Sequence, residues 1–132
     1  YFYLSTMEIE HSGNTYTYET LERLKQENQD TEYYFILGAD NLFQITKWEK
    51  PERIFANCRL LAAVRDDKTV ADMVKQIEYL EQTYHAVIFL LKINYMDISS
   101  SKIRQKVAEG ISIEADVPAS VKAYIEEKGL YL

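Results

Sequence analysis

The sequence predicts an α/β fold in which helices pack around an open parallel sheet. Three short, continuous apolar runs, at 33–37, 60–64 and 86–91, are separated by segments whose apolar residues have helical spacing. Strands that alternate with helices form right-handed βαβ units, so the three runs should lie parallel to one another. Runs without polar alternation are typical of strands that are buried on both faces.

The elements of the first half are predicted from residue type and spacing. A strand is expected over 2–9, where β-forming residues alternate roughly with others. Thr17 is the predicted N-cap of a helix that ends near Asn28. A short helix is expected over 41–45, and Pro51 should occupy the N1 position of another.

The helices of the second half are predicted from apolar periodicity and capping residues. Val70, Met73, Ile77 and Leu80 have helical spacing, which predicts a helix between the second and third buried runs. The predicted boundary residues are Thr69, Ser99 or Ser100, and Pro118 at helix starts, and Gly110 and Gly129 at helix ends.

Charge and cysteine content exclude several functional classes. The net charge of −6 and the pI of about 5.0 disfavour a basic face for duplex nucleic acid. Nucleic acid is therefore not expected as a partner. No apolar run approaches the roughly 18 residues of a membrane span, so a membrane is not expected as a partner either. The single cysteine, Cys58, is expected to be a buried structural thiol, which indicates a reducing, cytoplasmic compartment.

Polar residues follow each of the three buried runs. Asp40 follows the first, Arg65 the second, and the segment 94–104 the third. Ligands of open parallel sheets bind beyond the carboxyl ends of the strands, so a site is expected there. In the third segment, hydroxyls at a helix start and Arg104 three residues after Ser101 suit an anion. From spacing alone, simple helix capping with a solvated arginine explains the same residues.

Two segments resemble a known enzyme family. Residues 98–104, ISSSKIR, resemble the ISSTxIR motif of the nucleotidyltransferases that make dinucleotide cofactors, with Ser101 where that family usually has Thr. Residues 15–21, TYTYETL, resemble the SYTxxTL motif of bacterial nicotinate-mononucleotide adenylyltransferases. Both motifs lie in the order of that family.

Two further features support the same resemblance, which extends over nearly the whole chain. Residues 35–40, FILGAD, are similar to the family's strand ending in GAD, and Trp48 follows Asp40 by eight residues, as it does there. The resemblance implies a Rossmann-like open sheet with helices on both faces. It also implies that 1–132 is the C-terminal portion of a single nucleotidyltransferase domain.

The resemblance implies two sets of binding residues. Those for ATP and its phosphates are Gly38, Asp40, Arg65, Ser99, Ser100, Ser101 and Arg104. Those for the nicotinate nucleotide are Thr15, Tyr16, Thr17 and Trp48, whose indole would stack on the pyridine ring. The implied reaction transfers AMP from ATP to nicotinate mononucleotide, giving nicotinate adenine dinucleotide and pyrophosphate in NAD biosynthesis. It proceeds in line, without a covalent intermediate, and Mg²⁺ accompanies ATP with no protein ligand identified.

The chain departs from the family in one respect. The HxGH motif that contacts the ATP phosphates is absent, since the two histidines, His11 and His85, lie far apart. We therefore assign no catalytic residue and expect this chain to be inactive alone and to lack an N-terminal strand-helix portion. An uncovered sheet edge should then promote self-association into a homo-oligomer.

Three alternatives stay open at this stage. A sister enzyme such as a pantetheine-phosphate adenylyltransferase would share the 98–104 motif, but should lack the 15–21 motif and Trp48. A non-catalytic nucleotide-binding or self-associating fragment is consistent with the missing histidines. A generic α/β interaction domain would require all of these motifs to be accidental.

Overall fold

The computed structural model describes residues 2–64, 70–93 and 98–132. The chain divides into two compact units, Tyr1–Asn94 and Tyr95–Leu132. Two residues with predicted roles, Arg65 and Thr69, lie outside the described residues.

The first unit contains a three-stranded parallel sheet with helices between the strands. Its helices are α1 (Thr17–Glu27), α2 (Ala39–Gln44), a short 3-10 helix (Ile45–Lys47), α3 (Pro51–Asn57) and α4 (Val70–Tyr84), and its strands are β1 (Tyr34–Gly38), β2 (Arg59–Val64) and β3 (Ile88–Lys92). The strand order is β1-β2-β3, and Ile36, Leu61 and Phe89 are in register across it. The prediction of parallel βαβ units is therefore confirmed.

The core of this unit is built from the predicted apolar runs and helix stripes. Helix α2 packs on β1 and β2 and against α4, while α1 packs against α3. The largest fully buried side chains are Leu42, Ile45, Ile54, Leu60, Val64, Met73 and Leu80. Helical and strand segments thus contribute to one apolar cluster.

The strand predicted over 2–9 is wrong. Residues 2–6 are irregular and a turn follows at 7–9. Phe2 and Leu4 are almost fully exposed, at 104% and 90%. Alternating β-formers become a strand only when a neighbouring strand pairs with their backbone groups, and the described sheet contains β1, β2 and β3 alone.

Burial of the strands on both faces is also only partly realised. Along β2 the burial alternates between full and intermediate. Ile36 on β1 and Phe89 on β3 are 64% and 45% exposed. These two residues share one face with Leu61, which the described part of the unit leaves incompletely covered.

Three helix starts in the first unit can be compared with their predictions. The N-cap of α1 is Tyr16, so Thr17 is its first helical residue rather than its cap. Helix α2 begins at Ala39 instead of residue 41, which places Asp40 in its first turn. Pro51 does open α3 as predicted, because its fixed φ and missing N–H suit the first helical turn.

The second unit contains two helices, α5 (Ser100–Ala108) and α6 (Ala119–Lys128). Ser99 is the N-cap of α5, and its Oγ accepts a hydrogen bond from the Lys102 N–H at 3.2 Å. Gly110 and Gly129 follow the two helices at φ values of 69° and 58°, which only glycine adopts without strain. Pro118 was expected at the N1 position of α6 but is its N-cap, so the helix begins one residue later, at Ala119.

Two further expectations concern the membrane and the thiol. Within the described ranges, no helix combines the length and apolar character needed to cross a bilayer. Cys58 is buried and free, and its Sγ donates to the Ile54 carbonyl at 3.3 Å. Burial raises the pKa of its thiol to about 12, which disfavours a reactive thiolate and agrees with the expected structural thiol.

Candidate functional site

A pocket of about 230 Å³ in the first unit brings the predicted nicotinate-nucleotide residues together. Its lining residues are Thr15, Tyr16, Thr17, Trp48, Glu49 and Ile54. All four residues that the family resemblance assigned to the mononucleotide are among them. They come from two parts of the chain that are about 30 residues apart, so the fold rather than local sequence assembles the pocket.

One wall of the pocket is the start of helix α1. Tyr16 has extended backbone angles, φ −103° and ψ 140°, and makes no side-chain cap hydrogen bond. The first amides of a helix have no intrahelical acceptor, and the helix dipole adds positive potential there. This wall therefore suits a carboxylate or another anionic group.

A second part of the pocket lining is Trp48, which follows the 3-10 helix. Its backbone N–H donates to the Ile45 carbonyl at 3.1 Å. Its indole is partly buried and packs against the core. The indole thus has a fixed position and still lines the pocket.

Sequence reasoning missed two of the lining residues, Glu49 and Ile54. Glu49 is exposed and follows Trp48 directly, so its position beside a predicted ligand residue was an available signal. Ile54 is fully buried in α3 and has no local signal that distinguishes it from other core residues.

Gly38 and Asp40 lie at the end of β1 and in the first turn of α2, as the motif indicates. Both are exposed. A Cβ built on Gly38 would meet no described atom within 4 Å, so the side of the backbone where a side chain would stand is open. Neither residue lines the Trp48 pocket.

The second unit contains the predicted phosphate-binding motif. Ser100 and Ser101 begin α5, and the Oγ of Ser99 already caps the helix. The Arg104 guanidinium donates to the Ser101 Oγ at 3.4 Å, which confirms that these two side chains share one helix face. The side chains of Ser99, Ser100, Ser101 and Arg104 are all exposed. Arg65, the other predicted phosphate ligand, lies outside the described residues.

The parallel sheet with its connecting helices defines the fold class as Rossmann-like α/β, as predicted. The chain matches the family described as Cytidylyltransferase-like over residues 5–106. It belongs to that family.

Curated relatives agree with the resemblance seen in the motifs. A protein of Lachnoclostridium phytofermentans named "Probable nicotinate-nucleotide adenylyltransferase" is 42% identical over 132 residues, covering 100% of this chain and 66% of its own length. A protein of Dehalococcoides mccartyi with the same name is 41% identical and covers 99% of this chain and 64% of its own length. The chain therefore spans just under two thirds of the length of these relatives.

Solved structures show the same fold. A Plasmodium falciparum nicotinic acid mononucleotide adenylyltransferase complexed with APC aligns with a TM-score of 0.70 at 22% identity, over 92% of this chain and 61% of that one. The same enzyme complexed with NaAD aligns with a TM-score of 0.70, over 60% of its length. At this identity the likeness defines the fold.

Proposed function

We propose that this chain binds nicotinate mononucleotide and ATP for adenylyl transfer. In the proposed reaction, a phosphate oxygen of the mononucleotide attacks the α-phosphorus of ATP in line. The new bond joins that oxygen to phosphorus, the bond to the β-phosphate oxygen breaks, and pyrophosphate leaves. The product is nicotinate adenine dinucleotide, as expected for an enzyme of NAD biosynthesis.

The observation that carries this proposal is the assembly of the Trp48 pocket. Residues 15–17 and Trp48 belong to separate motifs, yet they line one cavity. Accidental motifs would have no reason to meet, so the generic interaction domain is disfavoured. A sister adenylyltransferase without the 15–17 motif is disfavoured for the same reason.

The nicotinate end of the substrate fits the two walls of this pocket. The indole of Trp48 would stack on the pyridine ring, since flat aromatic surfaces favour such contacts. The uncapped start of α1 at Thr17 would hold the ring carboxylate through backbone amides. This pairing favours nicotinate over nicotinamide mononucleotide.

The ATP end is proposed for the GAD and ISSSKIR motifs. Arg104 and the Ser99–Ser101 hydroxyls would neutralise the phosphates, and Asp40 would accept from a ribose hydroxyl. Gly38 would let the nucleotide approach the backbone. Arg65 stays in the proposed ATP set because it directly follows the second apolar run in the sequence.

Several parts of the proposal are not assigned to particular residues. Mg²⁺ is proposed to accompany the ATP phosphates, and no protein ligand is assigned to it. No catalytic residue is assigned, because the 132 residues contain no HxGH motif. The single-domain assignment of 1–132, a cytoplasmic location and a homo-oligomer stay predictions.

The absent histidine motif favours one second candidate, a nucleotide-binding module that performs no transfer. Both candidates predict mononucleotide binding by this chain, and neither predicts turnover by these 132 residues alone, because they contain no HxGH motif. The test therefore uses this chain and the same chain preceded by a strand-helix segment that carries the HxGH motif. It measures pyrophosphate release from ATP with Mg²⁺ and either nicotinate or nicotinamide mononucleotide, alongside equilibrium binding of each. Release by the extended chain with the nicotinate form supports the transferase, and binding without release by either chain supports the module. If this chain binds neither mononucleotide, both candidates are contradicted.

A further inference from the structure

Four side chains connect helix α1 with the start of helix α3, next to the Trp48 pocket along the chain. We call this group the Tyr18 clamp, and its members are Tyr18, Glu22, Lys50 and Arg53. The Tyr18 ring has two cations near it, with the Arg53 guanidinium carbon 4.5 Å and the Lys50 Nζ 4.8 Å from the ring centroid. The Arg53 guanidinium also donates to both carboxylate oxygens of Glu22. The clamp therefore ties together parts of the chain that are 31 and 32 residues apart.

Each half of the clamp adjoins a pocket-lining residue along the chain. Tyr18 directly follows Thr17 on the α1 wall. Lys50 directly follows Glu49, and Arg53 directly precedes Ile54. A shift of α1 relative to α3 would thus move pocket-lining residues on both of these segments.

The clamp has more rigid geometry than an ordinary surface ion pair. Tyr18 is only 6% exposed. Its hydroxyl donates a hydrogen bond to the Glu19 carboxylate at 2.8 Å and accepts one from the Lys50 ammonium at 3.4 Å. The two cations lie near the Tyr18 ring, and a two-point guanidinium–carboxylate pair fixes orientation as well as distance. The arrangement restricts how α1 can move against α3.

Lys50 adds a backbone constraint to the same place. It has the left-handed angles φ 49° and ψ 59° immediately before Pro51. A non-glycine residue before proline ordinarily adopts extended angles, so this conformation must be held by its surroundings. The Arg53 N–H donates to the Lys50 carbonyl at 3.0 Å, so Arg53 helps to set the path of the chain after Trp48.

We propose that Tyr18 and Arg53 are positioning residues that set the spacing between Thr17 and Trp48 for the mononucleotide. The inference rests on the proposed function, because the mononucleotide is the ligand whose affinity should depend on that spacing. Neither residue lines the pocket itself, so both act through their neighbours.

The test uses the full chain and the fluorescence of Trp48, its only tryptophan. Nicotinate mononucleotide is titrated into the unmodified chain, Tyr18→Leu, Tyr18→Phe, Arg53→Gln and Arg53→Lys. Arg23→Gln is the matched control, because it removes a cation and an ion pair with Glu27 from the same helix α1 without touching the clamp. Thermal unfolding of each variant is followed by circular dichroism, and affinities are measured where the chain is folded.

Tyr18→Leu and both Arg53 variants should raise the dissociation constant about tenfold, while Tyr18→Phe and Arg23→Gln stay within about twofold. Tyr18→Phe retains the ring near the two cations, and Arg53→Lys retains the charge but loses the two-point pair with Glu22. If Tyr18→Leu fails to fold, the affinities of the two Arg53 variants decide the question, because Arg53 is partly exposed and its replacement removes less buried structure.

Three results would overturn the inference. The first is a lower melting temperature with unchanged affinity, which is the signature of a merely structural role. The second is full affinity in Arg53→Lys, which would make charge rather than geometry responsible. The third is no saturable binding by the unmodified chain, and this one alone would also overturn the proposed function.

Discussion

The indole of Trp48 lies edge-on against the ring of Phe35, with centroids 6.2 Å apart and planes inclined by 64°. Edge-to-face contacts of this kind are favourable because the positive rim of one ring meets the negative face of another. Phe35 belongs to strand β1, so the contact couples the pocket wall to the central sheet. A ligand that stacks on this indole would meet a ring whose position is already set.

Removal of the Trp48 indole should weaken binding of nicotinate mononucleotide. Base–aromatic stacking contributes about 1–3 kcal/mol, so Trp48→Ala should raise the dissociation constant by about 5-fold to 150-fold. Isothermal titration calorimetry is the suitable measurement, since the variant has no tryptophan. Tyr79→Ala, which removes a 49% exposed aromatic ring from α4, is the control. Equal affinity in both variants would remove Trp48 from the site.

Loss of the Arg104 charge should affect ATP and spare the mononucleotide pocket. A hydrogen bond to a charged group contributes about 1.5–3 kcal/mol, so Arg104→Gln should weaken ATP binding at least about tenfold. Binding of nicotinate mononucleotide at the Trp48 pocket should stay unchanged. Lys128→Gln on α6 removes a cation paired with Glu127 and serves as the control. An ATP affinity that Arg104→Gln leaves intact would contradict the assignment.

The buried Cys58 thiol should make stability fall at alkaline pH. Burial raises the pKa of this thiol from 9.0 to about 12 in the folded chain. The contribution of the neutral thiol to the free energy of unfolding is therefore fully present below pH 9.0. It is lost as the pH rises toward 12, because the thiol of the unfolded chain ionises first. Urea unfolding at about pH 8 and about pH 10.5 should show a larger loss of stability in the unmodified chain than in Cys58→Ala. The same loss in both would show that other groups account for it.

The partly covered sheet face should promote self-association. Ile36 and Phe89 are exposed in one row across the strands, and exposed apolar patches favour association. Sedimentation velocity should show a dimer or larger species, and Ile36→Lys should shift it toward the monomer. Val74→Lys, at a 42% exposed position on α4, is the matched control and should leave the distribution unchanged. A monomer at every concentration with a cooperative melt would refute this expectation.

Local chemistry made much of the fold predictable. The three apolar runs became β1, β2 and β3 because continuous β-forming segments of that length have few other stable arrangements. Gly110 and Gly129 follow their helices because a left-handed residue is needed there. The strand expected over 2–9 failed because pairing depends on a neighbour that residue type does not reveal.

The α/β class, the order of the later elements and the two motifs that indicate nucleotide chemistry can be read from residue type and spacing. That residues 15–17 and Trp48 share a pocket is visible only in the folded chain. The same holds for the approach of Lys50 and Arg53 to the Tyr18 ring. Caps and periodicity act within a few residues, whereas these contacts join distant segments that burial of a common core brings together.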